Sequence, residues 1–482
     1  MGAALALGTD FWSRALADPA LPGPSPYGDL LPPDENGVQL PPGFTSRVVA
    51  VSLTPVGDTG HVWHPFPDGG ACVPAGDGGW IYVSNSENPP PKDVPVATSL
   101  ATVIGFGGAG AIRFDATGAI VDAYPILTRT QSNCAGGLTP WGTWLSCEEW
   151  ETANPYAAGR VWECDPFGEA PAVERPALGR FQHEMAAVDP VGEQIYLTED
   201  QTDGLLYRYT PQPNTWGTGA ALEGGTLDAM VVDGSGGVTW LPVPNPGAPT
   251  GPLRRAVPGA TPLNGGEGAV YDDGRVYVTT KGDDRVWVLD VAAQTFTVLY
   301  DGKAHTPPAL NGVDNIAVSA AHDLYVAEDG GNLEVCIITP DLVVAPVVRL
   351  TGSQHGFENP SPIPTMSEVS GLAFSPDGTR LYLNSQRGQG THPLGPGPGV
   401  LYEITGPFRG SALDSAQSTP TQVHSVGSTA AMGDAAVLAS VAGRGSLPAT
   451  GGSVPGAAAV GLGAAGAALW RLRNRTEGHR LP

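Results

Sequence analysis

The sequence predicts an all-β fold, a β-propeller with about six blades. Three observations predict it: few runs are long enough for a helix, the turns are rich in Gly and Pro, and one strand–turn–strand fragment returns about six times between residues 40 and 405. The 482-residue chain has 67 Gly and 48 Pro, but its aromatic and β-branched residues recur in short, evenly spaced clusters. This spacing is typical of a strand-and-turn domain rather than of a disordered chain.

Each copy of the fragment opens with an acidic residue or a cysteine, turns, and ends its second strand in polar residues. The opening residue and that end are 14 to 16 positions apart in five copies: Cys134 with Glu148, Glu184 with Glu199, Glu267 with Lys281, Asp314 with Glu328, and Glu368 with Asn384. An earlier copy ends at Asn85 and Glu87, and we assign Asp68 as its opening residue. Two short strands joined by a tight turn place their first and last positions side by side.

Outer strands follow these hairpins, in the segments LLYRYTP, VWVLDVA, TFTVLY and LEVCIITP. Four short strands in each of about six units are typical of a propeller, whose inner strands line a central channel. The open ends of all the inner hairpins are then expected to converge on one face of the ring.

Acidic and polar residues occupy these converging ends: Asn85, Glu87, Cys134, Glu148, Glu184, Glu199, Asp200, Glu267, Asp314, Asn315, Glu328, Asp329 and Glu368. So many carboxylates around a narrow mouth repel one another and are costly to desolvate, and bound cations would relieve both costs. A thiolate beside carboxylates suits a transition metal, while carboxylates alone suit a hard cation. The alternative is a hydrated acidic rim on a structural propeller.

The composition is also consistent with bound cations. The formal net charge of −24 makes nucleic acid an unsuitable partner and polyvalent cations suitable ones, although an acidic surface that keeps a secreted protein soluble would have the same charge. The cysteines, Cys72, Cys134, Cys147, Cys164 and Cys336, are odd in number and form no CxxC pair. A disulfide framework is therefore not expected to organise the fold.

The first 39 residues are expected to be a disordered leader. The segment MGAALALGTDFWSRALA resembles the end of an export signal, with a short apolar run and an Ala-x-Ala-like site but no basic region before it. We expect the true start to lie upstream, with a twin-arginine signal that exports a folded, metal-loaded protein. The alternative is a disordered N-terminus with no role in export.

The C-terminus resembles a cell-wall sorting signal of Gram-positive bacteria. Residues 406–446 are a flexible spacer rich in Ala, Ser and Gly, and residues 447–482 hold the pentapeptide LPATG, an apolar stretch from Val454 to Trp470 and the basic tail RLRNR. The resemblance implies cleavage by sortase between Thr450 and Gly451 and attachment to the cell wall. The alternative is a plain transmembrane helix, for which these 17 residues are just long enough. Either way, the domain at 40–405 is expected to work outside the cytoplasm.

The chain resembles the PhoX family of alkaline phosphatases, which are secreted, metal-dependent phosphomonoesterases with a propeller fold. The resemblance covers most of residues 40–405. It is densest in SNCAGGLTPWGTWLSCEE, in GRFQHEMAAVDP with IYLTEDQTDGLLYRYTP, and in SEVSGLAFSPDGTRLYLNSQRG. It implies a cluster of two ferric ions bridged by an oxygen, with calcium ions beside it, and phosphate esters as substrates.

Residue roles follow from the same resemblance. Cys134 matches the cysteine that binds iron, and the acidic positions of the cluster match Glu184, Glu267, Asp314 and Glu368. The resemblance further implies calcium-binding or supporting roles for Asn85, Glu148 and Glu199. The chain is shorter than the larger family members, so the full number of ions is left open.

A phosphate monoester also needs positive charge around its oxygens. We expect one or more of Arg180, Lys281 and Arg387 to hold the phosphate, although a salt bridge to a rim carboxylate is the alternative for each. His183 is either a general acid beside the metals or a residue of the blade interior.

Two other functions remain open at this point. A calcium-dependent lactonase on a propeller manages with one calcium and no sulfur ligand, so Cys134 distinguishes it from a phosphatase. A wall-anchored binding protein with structural rim ions is the non-enzymatic alternative.

Overall fold

In a computed structural model, the protein is described over residues 19–88, 107–149, 159–249, 251–352, 367–388, 391–392, 395–396 and 399–414. The chain divides into two compact units, Met1–Pro420 and Thr421–Pro482, and the second lies outside the described residues. The predicted sorting signal and the predicted spacer from residue 415 onward therefore lie outside them too. Residues 406–414, where the spacer is predicted to begin, pack on the propeller instead: Phe408 is 1% exposed and Arg409 Nη1 lies 2.8 Å from Asp323 Oδ1. No described helix is long and apolar enough to cross a bilayer.

The described part of the first unit is a six-bladed β-propeller, which confirms the predicted fold. Each blade is an antiparallel sheet, and in all but the last blade consecutive strands are neighbours. From the innermost strand outward, blades 1 to 3 are Pro67–Pro74, Trp80–Ser86, Gly107–Phe114 and Ile120–Thr130; Asn133–Leu138, Trp144–Glu148, Val161–Cys164 and Val173–Glu174; and His183–Asp189, Gln194–Glu199, Leu206–Pro211, Gly225–Val232 and Val238–Pro242. Blades 4 to 6 are Gly266–Asp272, Arg275–Thr280, Arg285–Asp290 and Thr295–Asp301; Val313–Val318, Leu324–Glu328, Glu334–Ile338 and Val343–Leu350; and Val369–Phe374, Arg380–Ser385, Val400–Thr405 and Thr45–Val51.

Short elements complete the described structure. The strands Thr391–His392 and Gly395–Pro396 form a small hairpin. The 3₁₀ helices are Pro176–Leu178, Gly219–Leu222, Leu253–Ala256, Lys281–Asp283 and Gly302–Ala304.

Blade 6 closes the ring, because its outermost strand comes from the start of the domain and its other three strands come from the end. Thr45–Val51 pairs with Val400–Thr405 from Thr45 opposite Thr405 to Val51 opposite Val400. An ion pair between Arg47 and Glu403, with 2.6 Å between Nη2 and Oε2, adds to this junction. The two ends of the domain are thus held in one sheet.

The residues just before this strand also belong to the propeller. Leu21–Pro22 pairs in parallel with the outermost strand of blade 5, and Val38–Gln39 pairs with the same strand antiparallel. Ala20 is fully buried, and its amide donates to the carbonyl of Leu299 in blade 4. The disordered leader that the sequence predicts over residues 1–39 therefore does not extend to residues 19–39, because these pair with blade 5 and pack on the ring.

The core lies between neighbouring blades. In five blades the second strand carries a fully buried tyrosine: Tyr82, Tyr196, Tyr277, Tyr325 and Tyr382. Tyr82 stacks on Tyr382 with 5.0 Å between ring centroids, which joins blade 1 to blade 6. A cavity of about 310 Å³ runs between the innermost strands and is lined by apolar residues of all six blades.

A break in register follows the first pair of the innermost strand in blades 1 to 5. In blade 2, Asn133 faces Glu148 but the next regular pair is Gly136 with Ser146, so two residues bulge out between them. Blades 1, 3, 4 and 5 break in the same way, after Pro67, His183, Gly266 and Val313. A β-bulge bends a strand and redirects the side chains within it. The bulged positions hold Asp68, Cys134, Glu184, Glu267 and Asp314.

Candidate metal centre

The bulged residues and Glu368 meet at one end of the ring, called the mouth from here on. Potential ligand atoms lie within 4.8 Å of one another in four groups, which among the described residues are Cys134, Glu149 and Glu184; Asp68, Glu87 and Glu368; Glu184, Glu267 and Asp314; and Asp314, Asp329 and Glu368. Glu184, Asp314 and Glu368 each belong to two groups, so the four groups form one connected cluster. Eight carboxylates and one thiol thus converge from all six blades.

Most of the cluster is shielded from water. Asp68 and Glu267 are 1% exposed and Glu184 is 2% exposed. Burial raises the pKa of all three carboxyls well above the usual range, and neighbouring carboxylates raise it further for Asp68 and Glu184. Burial also raises the pKa of Asp314 to about 7, although Lys281 lowers it. Without cations, the cluster therefore favours protons on these oxygens.

Two of these groups differ in chemistry. The thiol of Cys134 lies with Glu149 and Glu184, and burial raises its pKa, so the free protein keeps it protonated. One sulfur with carboxylate oxygens suits a transition metal, which displaces the thiol proton on binding. Asp68, Glu87 and Glu368 offer oxygen alone, the donor that a hard cation such as calcium prefers.

One buried carboxylate oxygen is evidence for a cation at the mouth. Glu184 Oε2 is buried and has no hydrogen-bond partner among the described residues. An unpaired, desolvated carboxylate oxygen is unfavourable in a folded protein unless an ion or a proton occupies it. The residues present therefore fit a metal cluster at the mouth.

Two cations border the cluster. Lys281 Nζ lies 2.8 Å from Glu267 Oε1 and 3.1 Å from Asp329 Oδ2. Arg387 lies 3.5 Å from Glu368 and 3.7 Å from Glu87. Both side chains are about one-third exposed, at 33% and 36%, and their charged ends contact carboxylates of the cluster.

Arg180 is the third residue that the sequence predicts to hold the phosphate. It is half-buried in the segment that leads into the innermost strand of blade 3. Its role in holding phosphate stays a prediction. His183 is fully buried, with its ring on Phe181 at 3.5 Å between centroids and Nε2 3.2 Å from the Gly179 carbonyl. Burial lowers its pKa to about 3, and its ring packs within the blade, which agrees with the second of the two predicted roles, a residue of the blade interior.

Glu148, Glu199 and Asn85, which the sequence predicts to bind calcium or to support the cluster, make hydrogen bonds within and between the blades, and calcium binding by them stays a prediction. Glu148 accepts from Trp162 Nε1 and from the Arg160 amide, both at 3.2 Å. Glu199 accepts from Tyr207 and from Arg254, both at 2.9 Å, inside blade 3 and its flanking loop. These carboxylates brace the strands.

Asn85 is the third of them, and its amide has a structural role. Its Nδ2 donates to the Ala135 carbonyl at 2.7 Å, and its Oδ1 accepts from Trp144 and Ser146 at 2.9 and 2.8 Å. These bonds support the backbone next to Cys134. Asn85 therefore supports the strand that carries Cys134, which fits the predicted supporting role, and calcium binding by its side chain stays a prediction.

Three members of the cluster, Glu87, Glu149 and Asp329, directly follow the second strand of their blade, and none of them is assigned as a metal ligand in the sequence analysis. Every blade has a charged or amide residue at this following position. These following residues are Glu87, Glu149, Asp200, Lys281, Asp329 and Gln386. Adjacent acid pairs such as Glu148–Glu149 carried the signal, because side chains alternate along a strand and only one of two neighbours can face the mouth.

Comparisons with known proteins agree with this site. Residues 118–295 match the family model described as alkaline phosphatase PhoX, a segment that holds Cys134, Glu149, Glu184 and Glu267. The fold is similar to that of PhoX from Pseudomonas fluorescens, solved with vanadate as a transition state analogue, with a TM-score of 0.61 and 18% identity over 82% of this chain and 98% of that chain. Together these findings support a propeller alkaline phosphatase, a phosphoric monoester hydrolase.

Other similarities are weaker. A gluconolactonase from Xanthomonas campestris matches with a TM-score of 0.38 and 13% identity, over 79% of this chain and 98% of that chain. A putative 6-phosphogluconolactonase from Bacteroides uniformis also has a TM-score of 0.38, with 14% identity over 75% of this chain and 99% of that chain. At these scores neither bears on function. No curated protein matches the sequence.

Proposed function

We propose that the protein is a metal-dependent phosphomonoesterase that hydrolyses extracellular phosphate esters at the mouth of the propeller. The observation that carries the proposal is the convergence of a buried thiol, Cys134, with eight carboxylates in a chain whose central segment matches alkaline phosphatase PhoX. The specific ions proposed are ferric iron and calcium.

The donor sets divide the ions between two parts of the cluster. Cys134, Glu149 and Glu184 would hold iron, since this group includes the sulfur. Asp68, Glu87 and Glu368 would hold calcium. When bound, such ions supply Lewis acidity toward the phosphoryl oxygens and lower the pKa of bound water.

The protein's own cations would bind and orient the phosphate. Lys281 and Arg387 each contact two carboxylates of the cluster. With ions held by these carboxylates, both cationic ends would be available to the phosphate oxygens. A guanidinium can bind two phosphate oxygens at once, so Arg387 also fixes the orientation of the ester.

The setting of the enzyme is a further part of the proposal. An acidic chain with an LPATG pentapeptide near its end would be exported, by the twin-arginine route, and attached to the cell wall by sortase or to the membrane by its apolar segment. Phosphate esters outside the cell are then its substrates. Exposure of intact Gram-positive cells to sortase inhibitor, followed by immunoblotting of wall and medium fractions, tests this attachment.

Phosphate release is the central test. The full chain, loaded with iron and calcium, is expected to hydrolyse p-nitrophenyl phosphate and to lose that activity in chelator, while gluconolactone is not hydrolysed. No phosphate release from protein whose bound metal is confirmed by elemental analysis would contradict the proposal. Lactone hydrolysis alone would favour the lactonase alternative, and neither activity would favour a binding protein.

A cysteine variant tests the role of the sulfur. Cys134→Ala is expected to lose iron and to lower kcat/KM at least about 100-fold, with the circular dichroism of the native fold. Cys164→Ala is the matched control, because Cys164 is also fully buried in blade 2 but lies outside the four groups. Full activity and full iron content in Cys134→Ala would show that the thiol serves only in packing.

A further inference from the structure

We propose that Gln386 is an additional cation ligand, whose side-chain oxygen binds the hard divalent cation held by Asp68, Glu87 and Glu368. This inference rests on the metal dependence in the proposed function, but it does not depend on which substrate is hydrolysed. Blade 6 would then supply two ligands, the amide of Gln386 and the carboxylate of Glu368.

The position of Gln386 in its blade is the first observation. It directly follows the second strand, Arg380–Ser385, as Glu87 and Glu149 follow the second strands of blades 1 and 2. Those two residues are members of the candidate metal groups. Blade 6 therefore presents an amide at a point in the chain where other blades present a carboxylate ligand.

The contacts of Gln386 are the second observation. Its Nε2 donates to Asp68 Oδ2 at 2.8 Å and to Glu87 Oε2 at 2.7 Å. Its backbone amide donates to the Glu368 carbonyl at 3.1 Å. One residue thus contacts all three members of a single group, and its side-chain nitrogen occupies the space between two of their carboxylates.

An unsatisfied atom is the third observation. Gln386 is fully buried, yet its Oε1 has no hydrogen-bond partner among the described residues. A glutamine can offer either its nitrogen or its oxygen to the same space by a half-turn of the amide. Toward the two carboxylates the amide presents its N–H groups, and its Oε1 has no partner among the described residues.

A bound cation reverses that preference. Once a divalent ion lies between Asp68, Glu87 and Glu368, a hydrogen-bond donor aimed at the same space is repelled. The half-turn then places Oε1 on the ion, and calcium commonly takes amide oxygens together with carboxylates. A neutral ligand also suits this location, because three carboxylates already exceed the charge of one divalent ion.

Calcium binding without substrate tests this assignment. The full chain is treated with EGTA to remove calcium, and calcium is added back in a calorimetric titration, with bound calcium counted by elemental analysis. Gln386→Ala is expected to weaken binding at one site at least tenfold or to lose one ion per chain. Gln386→Glu keeps an oxygen at the same place and is expected to bind within tenfold of the wild type or more tightly.

The two variants separate a ligand from a hydrogen-bonding brace. A brace needs the N–H groups, so Gln386→Glu would then lose calcium as Gln386→Ala does, and that result overturns the proposal. Unchanged binding in Gln386→Ala overturns it as well. Gln386→Asn, which retains the amide on a shorter side chain, is expected to show an intermediate loss and serves if either variant does not fold.

A matched control comes from blade 3. Gln194 is half-buried, and its amide contacts Thr210 on the third strand and Tyr196 on its own strand instead of any cluster carboxylate. Gln194→Glu is expected to bind the wild-type number of calcium ions. Because no phosphate ester is present, a failure of the phosphatase assay and a failure of this assignment are observed independently.

Discussion

The thiol of Cys134 donates a hydrogen bond to Asp68 Oδ2 at 3.3 Å, which joins a side chain of blade 2 to one of blade 1. Possible ligand atoms of different blades also lie close together around the rest of the mouth, since Glu184 and Asp314 are each shared by two groups. The ligands therefore act as one set, and loss of one member changes the charge that its neighbours experience.

Neighbouring glutamates in blade 2 are expected to have different roles. Glu149→Gln removes a charged ligand from the group of Cys134 and should lower bound iron by at least half and kcat/KM by about 100-fold. Glu148→Gln should keep iron and activity but lower the melting temperature by a few degrees, because it weakens bonds to Trp162 and Arg160 that contribute about 1 kcal/mol each. Iron content, activity and melting temperature of both variants provide the check, and the opposite assignment would follow if Glu148→Gln alone lost iron.

Removal of the guanidinium at the mouth should impair substrate binding. Arg387→Ala is expected to raise KM for p-nitrophenyl phosphate about tenfold or more, because a charge-assisted contact to the phosphate is lost. Arg113→Ala is the control, since Arg113 is similarly exposed, at 37%, and pairs with Asp77 away from the cluster. Steady-state kinetics of metal-loaded protein measure both, and an unchanged KM in Arg387→Ala would place Arg387 in a purely structural ion pair.

The metal-free protein should become more stable as pH falls. Burial raises the pKa of Asp314 to about 7 and that of Glu184 and Glu267 above their usual values, so the folded state binds protons more tightly than the unfolded state. Stability is then lowest above pH 7 and increases as these groups take up protons toward pH 5.

Melting temperatures in chelator measure this dependence. A rise of about 5 °C or more between pH 8 and pH 5.5 is expected. Metal-loaded protein should show no such rise, because ions replace protons on the same oxygens and protons compete with them at low pH. A metal-free melting temperature that fell over this interval would contradict the raised pKa values.

Closure of the ring should depend on the strand Thr45–Val51. A chain that begins at residue 52 lacks the outermost strand of blade 6 and the residues that pack on blade 5, which leaves unpaired backbone groups on Val400–Thr405. It is expected to melt at least about 10 °C lower or to remain unfolded. A chain that begins at residue 19 keeps every described strand and is the control, and equal melting temperatures for the two chains would contradict the role of closure.

The overall architecture could be predicted because hairpin spacing is a local property. The 14-residue interval from Cys134 to Glu148 indicates two strands and a turn, and the recurrence of that interval indicates a ring. The same interval placed Cys134, Glu184, Glu267, Asp314 and Glu368 at one mouth, and the structure brings these five side chains together.

The second strands were harder to predict, because a shift of one residue reverses the face of a side chain. Asn133, not Cys134, lies opposite Glu148, and the bulge that follows turns Cys134 toward the mouth. Glu149 then faces the cluster and Glu148 does not. Bulges depend on the fit of the whole blade, so strand periodicity alone could not distinguish these neighbours.

Closure of blade 6 by the first and last strands of the domain also affects when metal can be inserted. The cluster takes side chains from every blade, and Glu368 and Gln386 come from the blade that is synthesised last. A nascent chain on the ribosome therefore has no complete ion site until the strand Val400–Thr405 has emerged and paired with Thr45–Val51. A complete ion site would therefore form only after the ring has closed, and the compartment in which closure takes place would determine which ions are available to it.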